Sequence, residues 1–228
     1  MGNDFLQGGA GDDYLDGGAG FDFVSYASGS AVTVNLGGGG AAGGTAGSDT
    51  ISGVEAVLGS GYNDWLVGDA GGNYMDGLSG DDTLVGGAGN DALLGGTGTD
   101  SLEGGAGNDA LIGGAGADSF KWSLSDAGSA GTPAVDTLSD FDNVASSDKL
   151  DLKDLLQGEH SNAASLDGFL DFHLGGGNTT IDVRPAGAAT DMTQQIVLSG
   201  VDLTAGGTLT DSQIITNLLN NGQLITDV

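Results

Sequence analysis

A beat of nine residues governs this chain. Asp64, Asn73, Asp82, Asp91, Asp100, Asp109 and Asp118 recur at that spacing, with one Asn in an Asp position. Two residues after each comes an apolar side chain: Leu66, Met75, Leu84, Leu93, Leu102, Leu111 and Phe120. The intervening stretches are Gly-rich, as in Gly86-Gly87-Ala88-Gly89-Asn90-Asp91 and Gly104-Gly105-Ala106-Gly107-Asn108-Asp109. A shorter array at the start carries Asp4, Asp13 and Asp22, followed by Leu6, Leu15 and Val24. A fixed internal repeat dictates architecture before any local propensity does.

Nine residues are too few for a helical repeat. A six-residue Gly-rich run cannot be helix, because Gly costs about 1 kcal/mol per position there. It can be a tight turn, where Gly reaches positive φ without a steric penalty. The three remaining residues form a short strand whose middle side chain points one way and whose neighbours point the other. Each nonapeptide is then one turn plus one strand, and two of them complete a coil. Stacked coils bury the Leu, Met and Phe column between two parallel sheets. The expected fold class is all-β, a parallel solenoid.

The periodic aspartates need a separate explanation. A solvated acidic surface would require neither a strict period nor Asp in place of Glu, yet the chain has twenty-nine Asp and only Glu55, Glu103 and Glu159. A short carboxylate on a turn, beside carbonyls freed by Gly, makes a cage of hard oxygens. Calcium prefers six to eight such ligands, whereas magnesium keeps waters and a stricter octahedron. The chain has no Cys, and its two histidines, His160 and His173, read as isolated, which argues against zinc or copper.

The pattern Gly-Gly-x-Gly-x-Asp-x-apolar-x resembles the repeat-in-toxin (RTX) nonapeptide of bacterial type I secreted proteins. That resemblance implies a parallel β-roll that binds several Ca²⁺ ions. Each ion lies between loops two repeats apart on one edge and takes both Asp carboxylates and carbonyls from the loops' first four residues. One edge would pair Asp64 with Asp82, Asp82 with Asp100, and Asp100 with Asp118. The other would pair Asn73 with Asp91, and Asp91 with Asp109. Asp4 would pair with Asp22, while Asp13 needs a partner in the following segment, where Gly44 to Asp49 restores a degenerate turn. The loop glycines implied alongside are Gly9, Gly11, Gly18, Gly20, Gly80, Gly87, Gly89, Gly96, Gly98, Gly105, Gly107, Gly114 and Gly116. Departures at Phe21, Tyr62, Asp69, Asn73 and Leu78 lead us to expect weaker or absent sites around residues 59–80 and at Phe21.

Residues 25–58 do not fit the period. Val32, Val34 and Leu36 alternate as a half-buried strand does, and Gly37 to Gly47 reads as a loop. Irregular coils over 25–58 keep one continuous roll across residues 1–121. Composition then shifts: thirty-five of the forty-seven Gly precede Lys121. Residues 122–228 are expected to form a smaller β-rich capping region, with strands at Phe169–Leu174, Thr179–Val183 and Gln195–Val201. One short helix should begin near Asp211 and stop at Asn221-Gly222. The segment Asp136 to Leu152 resembles the one that closes RTX arrays, either as a plain cap or with its carboxylates holding a further calcium ion; it is not an EF-hand loop, since the required Gly and Glu are missing. The ending Gln223-Leu224-Ile225-Thr226-Asp227-Val228 resembles the uncleaved signal read by type I ABC exporters, as on large adhesins.

A net charge of −28 and a pI near 4.1 leave no basic surface for nucleic acid. Neither a signal peptide nor a membrane span is visible, and no stable membrane insertion is expected. The chain starts in the back half of a repeat, as a piece of a larger protein would. No His-Glu-x-x-His or Gly-x-Ser-x-Gly occurs, so catalysis within these residues is not expected. Together these readings describe a monomeric calcium-folded module at the C-terminal end of a secreted or cell-surface Gram-negative protein, an adhesin by resemblance. The alternative is the non-catalytic tail of a secreted protease or lipase. A ligand- or ice-binding solenoid is disfavoured, because the third loop position holds Thr only at Thr97.

Overall fold

The computed structural model describes residues 2–43, 47–129, 132–142, 148–156, 162–185 and 192–226. His160, weighed above as a ligand, lies outside them. The described strands form two ten-stranded sheets that share a single apolar core. In the first sheet the order runs Phe5–Leu6, Phe23–Ser25, Ala56–Leu58, Tyr74–Asp76, Ala92–Gly98, Ala110–Gly116, Ala134–Leu138, Gln194–Leu198, Asn178–Val183 and Leu170–Gly175. In the second it runs Tyr14–Asp16, Gly47–Ser52, Gly40–Gly43, Thr33–Asn35, Trp65–Val67, Thr83–Ala88, Ser101–Ala106, Ser119–Lys121, Lys149–Asp151 and Leu224–Ile225. Successive nonapeptides alternate between sheets, so eighteen residues make one coil.

The register follows from that count. Leu66 lies beside Leu84, Leu84 beside Leu102 and Leu102 beside Phe120 in the second sheet. Met75, Leu93 and Leu111 line up in the first. All seven are fully buried, each worth about 1.5–3 kcal/mol of transfer free energy. Neighbours such as Thr83 and Val85 face outward and are only partly covered. Parallel pairing needs a crossover between neighbouring strands; here the crossover is the half-coil in the opposite sheet.

Both columns continue past Lys121. Phe120 pairs with Leu150, and Leu150 with Leu224. Leu111 pairs with Leu138, and Leu138 with Leu198. Beyond that, Asn178–Val183 and Leu170–Gly175 add antiparallel strands at the edge of the first sheet. The helix Asp211–Asn220 buries Ile214, Ile215 and Leu218. Its entry is a capping box, the Thr210 N–H donating to Gln213 Oε1 at 2.9 Å. Asn221 and Gly222, at φ 71°, end it.

Two expectations are corrected. A second helix, Ala163–Leu166, precedes the single one expected at Asp211, its N-cap Asn162 accepting the Ser165 N–H at 3.0 Å. Within the stretch Gly37–Gly47, residues 44–46 lie outside the described ones, and Gly40–Gly43 is a strand rather than loop. Gly40–Gly43 pairs antiparallel with Thr33–Asn35 on one side and Gly47–Ser52 on the other. Small residues carry no apolar alternation, yet they let three backbones approach closely, and Ala41 is buried.

Candidate metal centre

Each repeat turn is built around its own aspartate. In Gly86–Asp91 a Cβ on Gly86 would collide with Asp91 Oδ2, and Gly77, Gly95, Gly104 and Gly113 meet Asp82, Asp100, Asp109 and Asp118 in the same way. The first glycine is therefore obligatory because the carboxylate folds back over it.

The other oxygen joins the coils. The Asp64 N–H donates to Asp82 Oδ1 at 2.7 Å, Asp82 N–H to Asp100 Oδ1 at 2.8 Å, and Asp100 N–H to Asp118 Oδ1 at 2.8 Å. Along the other edge the Asn73 N–H donates to Asp91 Oδ1 at 2.7 Å and Asp91 N–H to Asp109 Oδ1 at 2.8 Å. The rows reach further than the repeats. Val32 N–H donates to Asp64 Oδ1, Asp109 N–H to Asp136 Oδ1, and Asp118 N–H to Asp148 Oδ1. In the first array Asp4 N–H donates to Asp22 Oδ1 at 2.6 Å and Asp13 N–H to Asp49 Oδ1 at 3.0 Å. Asp22 N–H donates to Glu55 Oε2 at 2.9 Å.

Among the described residues, Oδ2 of Asp13, Asp22, Asp82, Asp91, Asp100, Asp109 and Asp118 is buried and has no hydrogen-bond donor. An unsatisfied buried carboxylate oxygen is costly, and here it repeats down the molecule. Burial raises the carboxyls of Asp91, Asp109 and Asp118 to about 6 and that of Asp82 to about 7, with neighbouring carboxylates adding to the rise. Burial raises Asp100 as well. The backbone N–H that each one accepts works in the opposite direction. Stacked carboxylates, each with one oxygen turned onto a loop of glycine carbonyls, fit a hard divalent cation of the calcium kind.

The loop glycines lie in step beside them: Gly87 pairs with Gly105, Gly96 with Gly114 and Gly98 with Gly116. Gly89 donates to the Ala106 carbonyl and Gly80 to that of Thr97, stitching loops to those one coil on. Gly107 packs against Gly89. Gly9 and Gly11, and Gly18 and Gly20, sit with positive φ in the turns before Asp13 and Asp22.

Elsewhere protein groups occupy the carboxylates. Ser60 N–H and Oγ donate to Asp64 Oδ2 and Oδ1 at 2.5 and 2.9 Å. Asn73 Oδ1 accepts from Asp69 N–H at 2.8 Å. The buried Tyr26 hydroxyl donates to Asp49 Oδ2 at 3.0 Å. At Leu78, which replaces a loop glycine, the chain still takes φ 71°.

Sequence reasoning missed an outer ladder. The residue preceding the repeat aspartate caps the equivalent position one coil on: Asn63 Oδ1 accepts from Asp81 N–H, Asp81 Oδ1 from Thr99 N–H, and Asn90 Oδ1 from Asn108 N–H. The recurrent Asn or Asp at that position was the available signal. His173 is also not isolated. Its Nε2 lies 3.1 Å from Asp182 Oδ2 and 3.4 Å from Asp171 Oδ2 on the antiparallel hairpin. Arg184 and Gln195 donate to the same two carboxylates, so the group reads as an ion-pair network.

Fold and site together define a parallel β-roll with carboxylate-lined turns on both edges. Residues 2–24, 58–93 and 94–120 match the family model of the RTX calcium-binding nonapeptide repeat. Among solved structures, the chain is similar to the AlgE6R2 subunit of the Azotobacter vinelandii mannuronan C5-epimerase. The identity is 27%, covering 69% of this chain and 90% of that one, with a TM-score of 0.35. The AlgE6R3 subunit of the same enzyme gives 26% identity over 67% of this chain and 78% of that one, TM-score 0.27. The extracellular lipase LipA of Serratia marcescens gives 17% identity, covering 93% of this chain and 38% of that one, TM-score 0.26. No curated protein sequence matches the chain.

Proposed function

We propose that this chain is a calcium-gated folding module at the C-terminal end of a larger secreted protein. The observation that carries the reading is the run of buried Asp Oδ2 atoms without donors, from Asp82 to Asp118. A net charge of −28 opposes compaction. Bound calcium supplies the positive charge that the rows lack. The chain's own residues do the rest: the Asp Oδ1 atoms hold adjacent coils in register, the loop glycines clear space, and the buried leucines make folding cooperative. Ions that bind only the folded form stabilise it by mass action. Extracellular calcium modules work at about 10⁻⁴–10⁻³ M, so the chain stays unfolded and threadable in the cell and folds outside.

We assign residues 122–228 the roles of closing the roll and directing export through a type I ABC exporter. The parent is proposed to be a cell-surface adhesin of a Gram-negative bacterium and the module a monomer. The export role rests on the resemblance of Gln223-Leu224-Ile225-Thr226-Asp227-Val228 to the signal read by type I exporters. No helix among the described residues is long and apolar enough to cross a membrane.

Equilibrium dialysis with labelled calcium, against excess magnesium, tests the metal assignment. Several ions should bind and magnesium should not displace them; a chain that takes up none contradicts it. Deleting residues 170–228 should abolish export, and undiminished secretion of the truncated chain would remove the export role.

A further inference from the structure

The series of donor-free carboxylates stops abruptly where the repeats end. Asp136 continues the row, accepting the Asp109 N–H through Oδ1 at 2.9 Å. The outer ladder continues with it, Asn108 Oδ1 accepting from Val135 N–H at 2.8 Å. Asp136 is therefore placed as Asp109 and Asp91 are placed, one coil further on, and is equally buried. Its second oxygen is different. Oδ2 accepts Trp122 Nε1–H at 2.7 Å and Gln194 Nε2–H at 2.8 Å. Trp122 and Gln194 are 2% and 0% exposed, so neither donor can turn to water instead.

We propose that Trp122 and Gln194 stand in for a cation at Asp136, sealing the row against a further ion. The inference rests on the calcium reading above. An ion on Asp136 Oδ2 would displace two buried N–H groups and leave them without acceptors, a cost that open positions such as Asp109 do not carry. Both donors are fixed from outside the repeats. Trp122 follows the strand Ser119–Lys121, with its N–H on the Asp151 carbonyl. Gln194 opens the strand Gln194–Leu198, which pairs along Ala134–Leu138. The seal thus ties the end of the carboxylate row to the late strands through protein atoms alone. In the other row Asp64 is also occupied by protein donors, here the N–H and Oγ of Ser60 from its own loop.

The test counts ions on the full chain. Asp136→Asn keeps an oxygen for the Asp109 N–H, and calcium bound at saturation should equal that of the unsubstituted chain, whereas Asp109→Asn should bind fewer ions. A folded Asp136→Asn protein that binds one ion fewer overturns the proposal. A second measurement does not depend on that variant folding. In the unsubstituted chain saturated with calcium, the Trp122 indole N–H, assigned with Trp65→Phe, should exchange slowly with solvent. Exchange as fast as that of the exposed Trp65 indole would mean the bond to Asp136 is absent, and the proposal fails. No calcium uptake by the unsubstituted chain would instead remove the calcium reading, and this proposal with it.

Discussion

The backbone N–H of Asp82 donates to Oδ1 of Asp100 at 2.8 Å, while Oδ2 of Asp100 meets no donor among the described residues. One carboxylate thus splits its work. One oxygen sets the stacking register of the coils, and the other faces the loop where positive charge is needed.

Asp100→Asn separates these roles. The amide keeps an oxygen for the Asp82 N–H but loses the negative charge and turns an N–H₂ toward the loop. Loss of a charged ligand should weaken calcium by at least about tenfold, or about 1.4 kcal/mol. A calcium titration followed by tryptophan fluorescence reads the midpoint. An unchanged midpoint would mean that Asp100 only stacks.

Leu102 lies at the centre of the apolar column with no exposed surface. Leu102→Ala should destabilise the calcium-loaded roll by about 2–5 kcal/mol, the range for buried Leu truncations. Urea unfolding in saturating calcium measures it. A loss below about 1 kcal/mol would mean the coils do not share a packed core.

Leu78 takes a left-handed backbone, φ 71°, where equivalent loops carry Gly. A non-Gly residue there costs roughly 1–2 kcal/mol, partly offset by the chain entropy that Gly loses. Leu78→Gly should stabilise the loaded roll by up to about 1 kcal/mol in the same urea experiment. Destabilisation would show that packing of the Leu78 side chain outweighs its strain.

The raised carboxyls fix the sign of the pH response. In the ion-free fold Asp91, Asp109 and Asp118 titrate near 6 and Asp82 near 7, above the ordinary 3.8 of an unfolded Asp. Between about pH 4 and 7 the folded form then binds more protons than the unfolded one, so its stability falls as pH rises. In chelator the chain should gain structure from pH 7.5 to 5. Protons compete with calcium for these oxygens, so the calcium midpoint at pH 5.5 should lie well above that at pH 7.5. Equal midpoints would contradict the assignment of these carboxylates as ligands.

The nine-residue beat made the repeats legible, because a turn and a strand of fixed length leave one way to stack. The Leu66 to Phe120 column and the helix at Asp211 could be read from apolar spacing and end signals. The hairpin of Gly40–Gly43 could not, since Gly and Ala carry no alternation. Asp136 and Asp148 read from sequence as carboxylates of a closing segment, with a plain cap and a further calcium site both open, but not as continuations of the rows. They lie 27 and 30 residues beyond Asp109 and Asp118, not 18, so the period no longer points to them. The Trp122–Gln194 seal joins residues from distant strands, which no local pattern encodes.

The central claim is that cation binding to the Asp rows decides whether the chain folds. Far-UV circular dichroism during a calcium titration, with magnesium as control, tests it most directly. We predict little ordered structure in strong chelator and a steep coil-to-β transition near millimolar calcium that magnesium does not reproduce. A chain already fully β-structured in chelator at pH 7.5, with no change on adding calcium, would contradict the account.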